Sequence, residues 1–109
     1  MAQKSFEAKT YDYYFWSSRE TGKANLNIQG PSGEVCGVWF VEDPDAILPD
    51  AHEDSPNFFS IYYHYAQFDQ ILDMLRNEKP VFVHFNNDRG FDNSRISTNR
   101  EPVGEGEES

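Results

Sequence analysis

Residues 57–86 read NFFSIYYHYAQFDQILDMLRNEKPVFVHFN, and the hydrophobic period changes twice along them. From Phe58 to Tyr65 the period is two: Phe59, Ile61, Tyr63 and Tyr65 share one face, while Phe58, Ser60, Tyr62 and His64 share the other. Successive side chains of a strand point to opposite faces, so this segment predicts a strand with aromatic residues on both sides. Phe68, Ile71, Leu72 and Leu75 then fall at i, i+3, i+4 and i+7, with Asp69, Gln70, Asp73 and Arg76 opposite. That spacing predicts an amphipathic helix over about residues 66–77, lying on a surface and covering something with its single apolar stripe. Asn77, Glu78 and Lys79 end it, and Pro80 enforces the stop. Val81, Val83 and Phe85 alternate with Phe82 and His84 in a second strand.

Upstream, Tyr11, Tyr13 and Phe15 alternate with Asp12, Tyr14 and Trp16, again a strand loaded on both faces. Residues 19–23 supply a polar, glycine-containing turn, after which Ala24, Leu26 and Ile28 alternate cleanly with Asn25, Asn27 and Gln29. One face of this strand is predicted buried and the other wet. Gly30, Pro31, Ser32 and Gly33 predict a tight turn. The returning strand, Val35 to Val41, places Cys36, Val38 and Phe40 on one face and Val35, Trp39 and Val41 on the other, with Gly37 leaving a gap. These three strands predict an antiparallel meander. Glu42 to Pro56, with three prolines and six carboxylates, reads as an acidic connecting loop anchored to the body by Ile47 and Leu48. Beyond Phe85, Asn86 to Ser94 predicts a polar turn centred on Gly90, and Arg95 to Thr98 a short last strand.

The fold class that follows is α+β: a small, mainly antiparallel, five- to six-stranded curved sheet or barrel with one helix packed on it, in the order βββ-loop-βαββ. At 109 residues the chain suits one domain, assigned to residues 1–100, with residues 101–109 an acidic, flexible tail. Aromatic content of 16% supplies the buried area that a short chain needs to offset its ordering entropy.

The net charge of −10 opposes the counterion release on which nucleic-acid affinity depends, so no direct nucleic-acid partner is expected. Nowhere is there an apolar run approaching the roughly 18 residues of a membrane span, nor an apolar leader at the N-terminus. No membrane partner is expected. Cys36 is the only cysteine, which excludes an internal disulfide and a multi-cysteine zinc site and favours a cytoplasmic setting.

Each chemical motif in the chain has a plainer reading beside it. Asp43, Asp45, Asp50, His52, Glu53 and Asp54 in the 42–54 loop could offer hard ligands to a divalent cation, but Pro44 and Pro49 interrupt them and no calcium-loop spacing is present. His64 and His84 have the same strand parity and could become neighbours across a sheet, as an acid/base or ligand pair. Ser60 lacks the G-x-S-x-G surround of a nucleophile elbow. No catalytic residue, metal ligand or cofactor is therefore assigned.

The order strand, strand, strand, helix, strand, strand resembles an OB-fold, a five-stranded barrel with its helix between the third and fourth strands. Phe58 to Tyr65 adds a strand before the helix, and the basic residues that follow a phosphate backbone are lacking.

The aromatic loading on both faces poses the functional question, since one helix covers one face only. Barrel closure, a partner subunit or a ligand must meet the other. The candidate face comprises Trp16, Trp39, Phe58, Tyr62, His64, Phe82 and His84. The leading expectation is a small non-catalytic, cytoplasmic interaction or regulatory module that binds a protein partner, or itself as a homodimer, through this face. The alternatives are an acidic mimic of nucleic acid that inhibits a nucleic-acid-binding protein, and a barrel holding a small ligand, or a small enzyme using His64 or His84.

Overall fold

A computed structural model describes residues 3–88 and 91–98. It bears out the α+β class, and it differs from the sequence expectation in how the strands are joined. The elements are β1 (Gln3–Glu7), β2 (Thr10–Phe15), β3 (Ala24–Gln29), β4 (Val35–Val41), β5 (His52–Ser55), β6 (Phe58–His64), a 3-10 turn (Tyr65–Gln67), α1 (Phe68–Asn77), β7 (Val81–Asp88), β8 (Phe91–Asp92) and β9 (Arg95–Thr98). They form two sheets, one of five strands in the order β2-β3-β4-β6-β5, and one in which β7 is flanked by β1 and by β8 and β9.

β2, β3 and β4 are the expected antiparallel meander. β6, however, pairs with β4 in parallel, making the large sheet mixed and not simply antiparallel. The chain leaves β4, steps past one strand position and descends as β5; the β5–β6 hairpin then slots β6 between β5 and β4. Parity cannot report this, because a strand presents the same faces in either direction. Nor do the two sheets close: of the curved sheet or barrel expected, the barrel is not formed, and the barrel geometry of the OB-fold is absent with it.

Three strands were missed by periodicity: β1, β5 and the two-residue β8, which pairs with the end of β7 at Asn87 inside the stretch expected as a polar turn over Asn86 to Ser94 and is too short to show alternation. β1 is joined to β2 through a corner at Ala8 and Lys9, where the Ala8 N–H donates to Val81 O and the next N–H, of Lys9, donates to Gln29 O. One chain segment thus feeds both sheets. β5 lies inside the acidic loop and is exposed throughout, so it has no hydrophobic alternation to read. Ile47, expected to anchor that loop, is 96% exposed, and Leu48 is only half-buried. The anchor is Ala51, buried, whose N–H donates to Asp92 Oδ2 at 2.8 Å and whose carbonyl accepts from Asn87 Nδ2.

The core lies between the sheets. Leu26, Ile28, Cys36, Val38, Phe40, Phe59 and Ile61 from the large sheet meet Phe6, Val81, Val83, Phe85 and Ile96 from the small one. Phe59 ties the two layers together, its ring 6.4 Å from Phe6 and 4.9 Å from Phe85. The helix covers the rest of the same inner face with Phe68, Ile71 and Leu72. Phe68 is its pin, within 6.0 Å of the rings of Phe40, Phe15, Tyr65 and Tyr13. Asp69 in the first turn and Arg76 in the last suit the helix dipole. Helix and small sheet therefore share one face of the large sheet, and its other face points outward. Residues 101–109, assigned to the tail, and Gly90 lie outside the described residues.

Candidate functional site

Register fixes which side chains meet on the outer face of the large sheet. Tyr14 pairs with Asn25, Asn25 with Trp39, and Trp39 with Tyr62, so these four stand in one row across four strands. At about 4.8 Å per strand the row is roughly 14 Å long. The neighbouring row, Asp12, Asn27, Gly37, Ser60 and His52, is polar. The face is therefore aromatic along one line and hydrogen-bonding along the next.

Gly37 explains how Trp39 lies. A Cβ at Gly37 would meet the Trp39 Nε1 at 3.4 Å, so the glycine leaves the space into which the indole edge leans. From there the Trp39 Nε1–H donates to Ser60 Oγ at 3.3 Å. Ser60 is buried and in turn donates to Asp54 Oδ2 at 2.6 Å, and Asp54 Oδ1 lies 2.9 Å from His52 Nε2. The other ring nitrogen of His52 faces the Asp50 carbonyl at 3.3 Å. A polar chain thus runs from the indole to the sheet edge. Its order matters chemically: the serine hydroxyl points at a carboxylate that also meets the imidazole, and not at the imidazole itself, so the Ser–His–Asp order of a nucleophile triad is not formed. What it does is fasten β5 to β6 and hold the indole.

Beside Trp39 and Tyr62 an open groove of about 530 Å³ runs to the β2–β3 turn and the end of β4, lined by Gly22, Val41, Glu42 and Asp43 among others. Gly22 takes a positive φ of 61°, which turns its N–H and that of Lys23 toward Glu42. The Glu42 carboxylate accepts both, at 3.2 and 3.0 Å, and these backbone bonds, that from Lys23 foremost, hold its pKa below the ordinary glutamate range. Asp43 accepts the Asp45 N–H at 2.9 Å. The phenol of Tyr62 is pushed up, by desolvation first and by the charge of Asp54 second. The groove is thus lined by aromatic residues and carboxylates together.

The structure gathers part of the candidate face and divides the rest. Trp39, Phe58, Tyr62 and His64 share the outer face of the large sheet; Phe58 is 41% exposed and Tyr14, in the same row as Trp39, is 48% exposed. Trp16 extends that edge, its ring 5.7 Å from Tyr14 and capped by the Arg19 guanidinium at 4.0 Å. Phe82 and His84 belong to β7 of the other sheet. The His64–His84 pair that equal parity allowed is not formed: each lies on an outward face, but of different sheets. His84 is held between Ser5 Oγ at 2.8 Å and Ser97 Oγ at 3.0 Å, with its pKa lowered by desolvation and then by Arg95. His64 Nδ1 is buried and has no hydrogen-bond partner among the described residues. Cys36 is wholly buried and its thiol is pushed up to about 12 by desolvation, the behaviour of core packing.

Of the acidic-loop residues weighed as metal ligands, only His52 and Asp54 are brought together as a pair, and among the described residues no three His, Cys, Asp or Glu side chains converge. Sequence reasoning missed Glu42 as the brace of the β2–β3 turn and Ser60 as the hub of the polar chain. The signal for Ser60 was its parity with Tyr62; for Glu42 there was none, since its partners lie about twenty residues away. No helix among the described residues is long and apolar enough to cross a membrane. No protein-family model matches the chain, and comparison with curated proteins and with solved structures finds no match.

Proposed function

We propose that the protein is a non-catalytic interaction module of the cytoplasm that binds a protein partner, or a second copy of itself, through the outer face of its five-stranded sheet. The observation that carries this reading is the pairing of Trp39 with Tyr62 on a face that the helix and the small sheet leave outward, next to an open groove of about 530 Å³. Tryptophan and tyrosine are enriched in the cores of protein interfaces, because each offers a large rigid area with a polar handle. The single buried thiol fits a reducing compartment.

The competing readings have less support. A mimic of nucleic acid asks for carboxylates in an extended array, whereas Asp12 and Asp54 sit on opposite edge strands with Asn27, Gly37 and Ser60 between them. A ligand held in a barrel lumen asks for a closed sheet.

A photo-crosslinking residue placed at position 62 in the native cell should give discrete protein adducts, and the same residue at position 82, on the other sheet, should not. Trp39→Ala, checked for an intact fold, should remove the adducts. Adducts from position 82 alone, or none from position 62 together with a monomer at every concentration in sedimentation, would sink the proposal.

A further inference from the structure

We infer that the groove beside Trp39 and Tyr62 receives a positively charged side chain, arginine or lysine, from a basic segment of a partner protein. The inference rests on the proposed function and adds the chemistry of the occupant.

The argument is one of complementarity. Trp39 and Tyr62 line the groove together with Glu42 and Asp43, and the His52 ring lies 5.9 Å from that of Tyr62, so the site combines the two features that together attract a cation: aromatic rings with their quadrupole and a nearby negative charge. Glu42 is kept ionised by its two backbone N–H donors. Asp54, which bonds Ser60 beneath the Trp39 indole, adds to the negative field around Tyr62. The same edge of the sheet already shows the pairing internally, with the Arg19 guanidinium 4.0 Å above the ring of Trp16. Among the described residues, no comparable cation covers Trp39. Long range supports short range: a chain of net charge −10 draws a basic segment toward it and repels a second copy of itself. Lys23, adjacent to Glu42, and Arg19 are the nearby positive groups; Arg19 is engaged on Trp16 and reaches Gly22 O at 3.4 Å.

The test titrates the isotope-labelled full chain with a short Arg-Gly repeat peptide and with the same peptide in which citrulline, the uncharged isostere, replaces arginine. With Arg-Gly, the Trp39 indole N–H and the Val41 and Tyr62 amides should shift saturably, and the Trp16 indole much less. Citrulline-Gly should bind about tenfold more weakly, Tyr62→Leu should weaken Arg-Gly binding about threefold to tenfold, and Asp43→Asn about twofold to fivefold. Asp43→Asn retains an acceptor for the Asp45 N–H and sits at an exposed position, so it keeps the test valid if Tyr62→Leu perturbs the fold. Unsaturable shifts spread over every acidic segment and unaffected by Tyr62→Leu would overturn the inference, as would an absence of shifts. Equal binding of citrulline-Gly would also overturn it while leaving the aromatic face as an interaction surface. So would concentration-dependent movement of the same resonances without peptide, which would assign the groove to a second copy. Failure of the broader proposal has its own sign: adducts that persist after Trp39→Ala.

Discussion

Ser60→Ala removes one hydroxyl and should loosen an entire edge of the site. The hydroxyl donates to Asp54 at 2.6 Å and accepts from the Trp39 indole at 3.3 Å, and Ser60 is only 4% exposed. A hydrogen bond to a charged partner contributes about 1.5–3 kcal/mol; the Asp54 side chain is 41% exposed, so water recovers part of that, leaving about 1 kcal/mol. The longer bond from the half-buried indole adds about 0.5 kcal/mol. The expected loss is about 1.5 kcal/mol, or about 7 °C in Tm for a domain of this size. Urea unfolding of wild type, Ser60→Ala, Asp54→Ala and the double variant isolates the pair, since alanine leaves no acceptor for the hydroxyl, with a coupling of about 1 kcal/mol expected. The indole N–H resonance of Trp39 should also shift, while that of Trp16 stays in place. A loss below about 0.5 kcal/mol with no coupling would refute the reasoning, because β5 would then be held to β6 by its backbone ladder alone.

Two further perturbations probe the frame that carries the face. Phe68→Ala should cost about 3–5 kcal/mol and Phe68→Leu about 1–1.5 kcal/mol, since the ring is buried against Phe40, Phe15 and Tyr13; equal losses in urea unfolding would show that its ring contacts do not hold the helix. Glu34 is buried in the β3–β4 turn, where the Ser32 N–H at 2.9 Å, and more weakly Lys4 at 3.8 Å, lower its pKa. The unfolded state then binds the proton more readily than the folded one, so the contribution of Glu34 is complete above the ordinary glutamate range and is lost as pH falls through it toward the folded value. Glu34→Gln should flatten the stability-versus-pH curve on that acid side, and an unchanged slope would show that the carboxylate is not held preferentially ionised.

How much could be read in advance depended on whether a feature was local. The β2, β4 and β6 faces, the helix stripe from Phe68 to Leu75 and the last strand all follow from alternation or from 3.6-residue spacing, and they stand where expected. The face of β3 expected to be wet is not: Asn25 is buried, with its amide donating to Val38 O, and Asn27 and Gln29 are half-buried between the neighbouring strands. β5 was invisible, because His52 to Ser55 is exposed on both faces and owes its strand conformation to pairing with β6. Ile47 misled for the opposite reason: a hydrophobic residue in a loop is not obliged to be buried, and the anchoring fell to Ala51 through its backbone.

By itself the sequence determined the α+β class, the division of each main strand into two faces, the helix that covers one of them, and the acidic charge. These are properties of neighbouring residues and of sums. Only tertiary structure decided that β6 runs parallel to β4, that Trp39 therefore stands beside Tyr62, and that Phe82 and His84 belong to another sheet. Parity assigns a side chain to a face but carries no information about which strand lies next to it or in which direction it runs. The site is made by that pairing, and the pairing is set by the packing of the two sheets and the helix around one core.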